Sequence, residues 1–299
     1  MKLINAFFFK ILKFFPENFI KFFSSRYIAG FTIEETLSIC RELNAKGFVL
    51  TLDILGEHTT TKEESSKITD LYKNLLIKIY DNNIDANISV KPSHIGQDVN
   101  DSLFKKNLAL LANQALKLSN FIRIDMEDSR YTNLSIEAYK NLSKNQNNVG
   151  IVIQSYLKKS LHDLKKLKNK NLNIRLCKGI YSESNEIAFE KKSDINKNFL
   201  DILEYAFSRK IYIGIATHDE HLLEKSYELI KKYKMKSNEF EFQALYGVPL
   251  QKWFARNQEN SFKTRLYLPF GEDWYDYSMR RIKENPSIAK YVLLNIFKR

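Results

Sequence analysis

From Ala29 onward the chain alternates between short apolar runs and longer segments whose apolar residues recur every three or four positions. Eight of the short runs predict strands, at roughly 47–54, 86–91, 121–126, 149–154, 172–177, 211–216, 239–244 and 264–268. The segments between them predict amphipathic helices, so the sheet is expected to be parallel with helices on its outside. A closed barrel and an open doubly wound sheet both satisfy this alternation. No glycine-rich phosphate fingerprint follows the first run, which counts against the dinucleotide-binding form of the open sheet. No linker or low-complexity run divides the region.

Residues 1–27 read differently. Phe7, Phe8, Ile11, Leu12 and Phe15 fall on one side of a helical wheel, with Lys10 and Lys13 opposite, until Pro16 interrupts. The two lysines leave the apolar run too short to span a bilayer, and no small-residue cleavage site follows. Either the segment packs on the main domain or its apolar face lies on a membrane surface. The expected organisation is therefore an N-terminal amphipathic segment, 1–27, followed by one domain, 28–299.

Composition adds two bounds. The chain has 299 residues, 44% of them hydrophobic, which suits one large folded domain. Its only cysteines, Cys40 and Cys177, sit in apolar contexts, so neither a disulfide framework nor a cysteine metal site is expected, and a reducing cytoplasm is the natural setting. The net charge of +12 invites a polyanion partner. Basic residues are interleaved with acids and no nucleic-acid motif occurs, so no nucleic acid is expected and at most a peripheral contact with an anionic membrane.

Each predicted strand closes on polar residues, and in a barrel those ends converge on the face where active sites sit. The first ends in Asp53, Gly56, Glu57 and His58; Glu57 reads either as an ion-pair partner or as a helix-start carboxylate. Lys91 ends the second, where burial demands an anion, either a substrate carboxylate or an acidic side chain such as Asp125 at the end of the third. Asp128 is placed to cap the next helix, while His94 has no assigned role. Gln154 closes the fourth run, Arg175 and Lys178 the fifth, Thr217 and His218 the sixth, Gln243 and Leu245 the seventh. His218 alone reads as a hydrogen-bonded core residue, and no glutamate and second histidine complete a metal site.

The last predicted strand stops at Leu268, because Pro269, Phe270 and Gly271 break the pattern. Asp273 then caps a helix to about Asn285, with Pro286 beyond it. Tyr277, Arg280 or Arg281, and Glu284 share one side of that helix. Two guanidiniums beside an aromatic ring suit a small carboxylate, and the plain alternative is a solvated basic face with an Arg280–Glu284 pair.

The order Tyr267, Pro269, Gly271, Tyr277, Arg280, Arg281, Glu284, Asn285 resembles the closing signature of the monofunctional proline dehydrogenases. The Arg175-Leu-x-Lys178-Gly179-x-Tyr181 sequence, Asp53-x-Leu-Gly-Glu57, and Arg26-x-x-Ala29-Gly30 match further family motifs, in order from about Arg26 to Pro286. The resemblance implies an α/β fold, a modified (β/α)8 TIM barrel with extra N-terminal helices, and FAD as cofactor. It implies oxidation of L-proline to 1-pyrroline-5-carboxylate with electrons passed to a membrane quinone. It implies catalytic roles for Asp125, Arg175 and Tyr267, and a substrate site of Lys91, Leu245, Tyr277, Arg280 and Arg281. FAD would lie against Met126, Gln154, Arg175, Lys178, Gly179 and Ile180, with Thr217, His218, Gln243 and Glu284 completing its site. Pro92 departs from the family, which usually has an aliphatic residue there. No segment resembles the aldehyde dehydrogenase of bifunctional relatives, so the second step of proline breakdown is expected to belong to another protein.

Two competing functions remain at this point. One is the same flavin chemistry on another imino acid such as hydroxyproline, with Tyr277 as the discriminating position. The other is a non-catalytic basic binding protein, which has no need for this set of strand-end residues.

Overall fold

The computed structural model describes residues 21, 24–169, 171–275 and 277–279. Eight parallel strands close into a barrel in chain order: β1 (Val49–Ile54), β2 (Ala86–Val90), β3 (Ile122–Ile124), β4 (Val149–Gln154), β5 (Asn173–Cys177), β6 (Tyr212–Ala216), β7 (Phe240–Leu245) and β8 (Thr264–Phe270). The seam closes by pairing β1 with β8, from Val49 opposite Arg265 to Ile54 opposite Phe270. The open-sheet alternative is thereby excluded.

The helices follow the expected pattern with one displacement. Between successive strands lie α2 (Lys62–Asp81), α3 (Asp101–Lys117), α4 (Ser129–Leu142), α5 (Ser160–Lys166), α6 (Lys192–Ser208), α7 (Glu220–Lys232) and α8 (Gln251–Glu259), while α1 (Ile33–Ala45) precedes β1 and packs on it. Local chemistry sets the starts. Thr61 and Glu64 form a reciprocal capping box on α2, and Asp128 caps α4 by accepting the Arg130 N–H, as its position predicted. Beyond β8 the chain turns into helical residues around Trp274–Met279. An apolar cluster of Ile28, Leu55, Trp274 and Met279 and a 2.6 Å hydrogen bond from Ser24 to Ser278 hold them to the barrel. Among the described residues no helix is long and apolar enough to cross a membrane. The predicted helix at Phe7–Phe15 and the positions Arg280, Arg281 and Glu284 lie outside the described residues.

β8 corrects one expectation, because it continues through Pro269 to Phe270 instead of stopping at Leu268. Pairing between β7 and β8 ends at Leu245 opposite Tyr267, so the side on which proline lacks an N–H has no strand left to bond. The Pro269 carbonyl is taken by the Ala29 N–H at 2.9 Å, and the Gly271 N–H reaches the Gly30 carbonyl at 3.2 Å.

Strand alternation divides the barrel sharply. Residues such as Leu52, Ile88, Ile124, Ile151, Leu176, Ile215 and Leu268 are buried and belong to one continuous apolar core shared with the helices. The alternate positions point inward and are largely polar, as cross-barrel hydrogen bonds from Tyr267 on β8 to Asp125 after β3, and from Arg123 on β3 to Asn173 on β5, show. Arg123 is only 2% exposed. It donates to the Ile151 carbonyl and to both the carbonyl and Oδ1 of Asn173, while its Nε is buried without a partner. Burial and the Arg175 guanidinium push its pKa down to about 9, which still leaves it charged at neutral pH.

Gly150 on β4 makes room for this side chain, since a Cβ there would lie 2.2 Å from Arg123 Nη1. Its backbone is not left-handed, but the same Cβ would also lie 2.7 Å from the Asn173 carbonyl oxygen, so alanine meets both the guanidinium and the β5 backbone. Gly150→Ala is expected to lower the unfolding free energy by about 2–3 kcal/mol, the cost of disrupting hydrogen bonds to a buried charge. Urea unfolding followed by circular dichroism measures it, and a loss below about 0.5 kcal/mol would mean that Arg123 relocates freely.

Candidate active site

The polar strand ends converge on a cavity of about 650 Å³ at the carboxyl mouth of the barrel, lined from all eight strands or the residues that follow them. A second concavity, of about 750 Å³, lies at the opposite end near α5 and α6; it is polar and basic and contains none of the strand-end residues. The carboxyl mouth is therefore the candidate site.

At its centre the Arg175 guanidinium is held on two sides. Nη1 donates to Asp125 Oδ1 at 2.6 Å and to Ser89 Oγ at 3.2 Å, while Nε donates to Gln243 Oε1 at 2.6 Å. The Ser89 hydroxyl donates in turn to Asp125 Oδ1, and Tyr267 donates to Asp125 Oδ2 at 2.7 Å. The Tyr267 ring also lies 5.0 Å from the Arg175 guanidinium carbon, a cation–π contact. Burial, followed by the charges of Asp125 and Asp53, pushes the Tyr267 hydroxyl well above its ordinary pKa, so it stays a donor.

With both Asp125 oxygens committed, the expected Asp125–Lys91 pair does not form. Lys91 instead bonds both oxygens of Asp53, at 2.6 and 2.8 Å, and the Tyr72 hydroxyl donates weakly to the same carboxylate at 3.4 Å. Burial works against the ammonium, but the carboxylates of Asp53 and Asp125 outweigh it and keep Lys91 protonated. An ammonium has three N–H donors, and two are spent on Asp53, so among the described residues one remains for an anion in the cavity.

The loop after β5 carries the residues suited to phosphate. Lys178 reaches Asp219 at 2.6 Å, and Lys192 reaches the same carboxylate at 3.0 Å. Burial opposes the Asp219 charge, but these two lysines hold its pKa well below the usual carboxylate range. Gly179 has φ +97°, and a Cβ there would lie 2.1 Å from the Tyr156 ring, so aromatic packing as well as backbone conformation requires the glycine. Ile180 is exposed at the rim. On the far side Thr217 Oγ accepts the Asp219 N–H at 3.1 Å, and His218 Nε2 accepts the Leu245 N–H at 3.1 Å. His218 is exposed rather than a core histidine, and Leu245 and Tyr277 complete that wall.

Met126 and Gln154 lie on the opposite flank. Gln154 Nε2 donates to the Met126 carbonyl at 3.0 Å, whereas its Oε1 is buried without a partner beside the cavity. Every predicted site residue within the described set lines this one cavity; Arg280, Arg281 and Glu284 fall outside that set. Glu57 also lines it and lies in the loop before α2, which rules out the helix-start reading because Thr61 and Glu64 cap that helix.

Sequence reasoning left three site groups without a role. Asp53 was legible only as a polar strand end. Glu127, 2% exposed, accepts the Ser93 N–H at 2.8 Å and the Ser93 hydroxyl at 2.6 Å, pinning the loop after β2. His94 is buried in the short 3-10 turn Ser93–Ile95 beneath Gly56, and burial with the Lys91 charge lowers its pKa to about 3, so it stays neutral.

Burial raises the Glu127 carboxyl from an ordinary 4.5 to about 7, only partly offset by Ser93. Between those two values the folded chain holds a proton that the unfolded chain releases, so this group's contribution to stability falls as pH rises and levels off above pH 7. Relative to the parent, Glu127→Gln is expected to gain up to roughly 3 kcal/mol in unfolding free energy as pH rises through that window. Urea unfolding of both proteins from acid to neutral pH measures the difference, which cancels the opposite slope contributed by His94.

Comparison with known proteins bears on this geometry. The family model for proline dehydrogenase matches residues 36–292. Proline dehydrogenase 1 of Bacillus subtilis subsp. natto is 31% identical over 274 residues, which cover 92% of this chain and 90% of the relative. Proline dehydrogenase of Deinococcus radiodurans is 31% identical over 282 residues, with 92% and 90% coverage. Among solved structures, proline utilization A from Bdellovibrio bacteriovorus, inactivated by N-propargylglycine, superposes with a TM-score of 0.81 at 22% identity, over 88% of this chain and 32% of that longer one. That likeness concerns the fold. With the family match spanning most of the sequence and relatives aligned over nearly their whole length, this chain belongs to the proline dehydrogenase family.

Proposed function

We propose that this protein oxidises L-proline to 1-pyrroline-5-carboxylate, using FAD bound at the carboxyl mouth of the barrel and passing the electrons to a quinone. Family membership supports the substrate. The observation that carries the cofactor is Arg175, a permanent cation fixed from below by Asp125 and Gln243 at the floor of a cavity large enough for a cofactor. The partnerless Gln154 Oε1 fits as well, because a flavin ring presents an N–H of the kind this buried acceptor lacks.

When bound, FAD supplies the redox chemistry by accepting hydride from the proline carbon next to nitrogen. The chain's own residues bind and orient. Arg175 keeps positive charge beside the ring, where negative charge accumulates on reduction. Lys178, with the backbone from Lys178 to Ile180, holds the pyrophosphate, and Thr217 and His218 flank the cofactor on the other side. The remaining N–H of Lys91, together with Arg280 and Arg281, takes the substrate carboxylate. Tyr267, Tyr277 and Leu245 enclose the proline ring and exclude water.

The same proposal covers organisation and setting. Residues 28–299 are assigned to the barrel domain, supported by the Ala29 bond to β8, and residues 1–27 to an N-terminal segment whose Ser24 is hydrogen-bonded to Ser278. A net charge of +12 favours contact with the anionic surface of a membrane, where a quinone acceptor dissolves.

The purified protein is expected to show a flavin absorption band that bleaches when L-proline is added without oxygen. A band that bleaches only with another imino acid would move the substrate and keep the chemistry, and a protein that takes up no FAD would overturn the reading. Arg281→Met is expected to raise the Michaelis constant for proline about tenfold or more at unchanged FAD content, since it removes a ground-state contact to the carboxylate. Steady-state kinetics with flavin quantification checks it, and unchanged saturation would remove Arg281 from the substrate site.

A further inference from the structure

We infer that Glu241 is a positioning residue for Arg175, acting through the Gln243 side chain, which it locks into one of its two amide orientations. The two residues sit on the inward face of β7; Gln243 lines the cavity, whereas Glu241, one inward position below it, lines no part of it. Glu241 is 1% exposed and accepts from Arg265 Nε at 2.7 Å, Arg265 Nη2 at 3.1 Å and Gln243 Nε2 at 2.6 Å. Gln243 Oε1 then accepts from Arg175 Nε at 2.6 Å.

The logic is one of donors and acceptors. An ionised carboxylate can only accept, and a guanidinium can only donate. An amide between them satisfies both in a single orientation, N–H toward Glu241 and carbonyl toward Arg175. Turned over, it would set carbonyl against carboxylate and N–H against N–H, two repulsive contacts between buried groups. Glu241 stays ionised because Arg265 and Arg123 outweigh its burial and hold its carboxyl down at about 2. The lock is therefore set at any pH at which the protein works.

A second observation is independent of charge. The amide must pass in front of β6 to reach β5, and the β6 residue there is Gly214, paired with Arg175 on one side and Glu241 on the other. A Cβ at Gly214 would lie 2.2 Å from Gln243 Nε2. The neighbouring strand thus leaves open the space the amide occupies.

The consequence is a guanidinium fixed from two directions, by Asp125 and Ser89 at Nη1 and by Gln243 at Nε. Among the described residues this leaves Nη2 as the nitrogen available to whatever fills the cavity. In its functional consequence the inference rests on the proposed FAD reading, because the fixed cation tunes a flavin only if one is bound there.

The test uses two variants of the flavin-loaded enzyme. In Glu241→Gln the new amide can donate, so Gln243 is free to turn; in Gly214→Ala the added methyl displaces the Gln243 amide with no change in charge. Both are expected to keep their FAD, to show a more negative flavin midpoint potential, and to be reduced by proline about tenfold more slowly, with half-saturation changed less than about twofold. A purely structural role would lower thermal stability and leave the potential in place. Folded variants with the potential and reduction rate of the parent would overturn the inference, and Gly214→Ala decides it alone if Glu241→Gln does not fold.

A flavin-free readout separates the two readings. In nitrogen-15-labelled protein without FAD, the Arg175 Nε–H is expected to be protected from exchange in the parent and to exchange at least about tenfold faster in both variants. Equal exchange in all three would overturn the relay whatever the cofactor. Protection in a parent that takes up no FAD would overturn the cofactor reading and leave the relay standing.

Discussion

A guanidinium buried inside a barrel must find an acceptor in each direction its N–H groups point, and Arg175 imposes that requirement on nearly every polar residue around it. It claims one oxygen of Asp125 and the carbonyl of Gln243. Tyr267 claims the other Asp125 oxygen, so Lys91 turns to Asp53. The Gln243 amide needs an acceptor of its own in Glu241, and Glu241 needs a counter-charge in Arg265. Six strands, through residues in them or directly after them, are tied together by the consequences of one cation.

This arrangement separates the tasks of the two strand faces. The outward face is aliphatic and aromatic, packs on the helices and carries the hydrophobic stabilisation of the domain. The inward face contributes little apolar burial and sets geometry instead. Buried ion pairs are weak sources of net stability, since desolvation consumes most of their attraction, but removing one partner is costly. Arg123 is the exception that marks the limit of the scheme, because its recorded acceptors are all neutral and its Nε has none.

The positions of the elements were legible in the sequence because the outward positions of each strand are apolar and cluster in short runs between the helical segments. β4 matches its predicted span of 149–154, and the other strands differ at their ends by one to a few residues, with β8 running on through Pro269. The gathering of Asp125, Arg175, Gln243 and Tyr267 at one mouth was legible once strand ends were taken to converge. Partner choice was not. Sequence spacing places Lys91 near several carboxylates, and only the three-dimensional competition for Asp125 sends it to Asp53. The lower interior was also hidden: polar residues at every second position, such as Arg123, Glu241 and Arg265, look the same whether they face solvent or a polar barrel interior. Closure of the sheet decides between the two, and closure is a property of the whole chain.

Gly150 and Gly214 give this interior an uncommon mutational character. Aliphatic barrel cores drift by trading one hydrocarbon side chain for another of similar volume, and each step is nearly neutral. Here the space a side chain would take at either glycine is filled from the neighbouring strand by Arg123 or Gln243, so the smallest enlargement displaces a polar group from its hydrogen bonds. Glycine and alanine codons differ by a single nucleotide. The most accessible substitutions inside this barrel are thus among those it tolerates least, and the expected record of its descent is frequent change on the outward strand faces around an inner face held almost still.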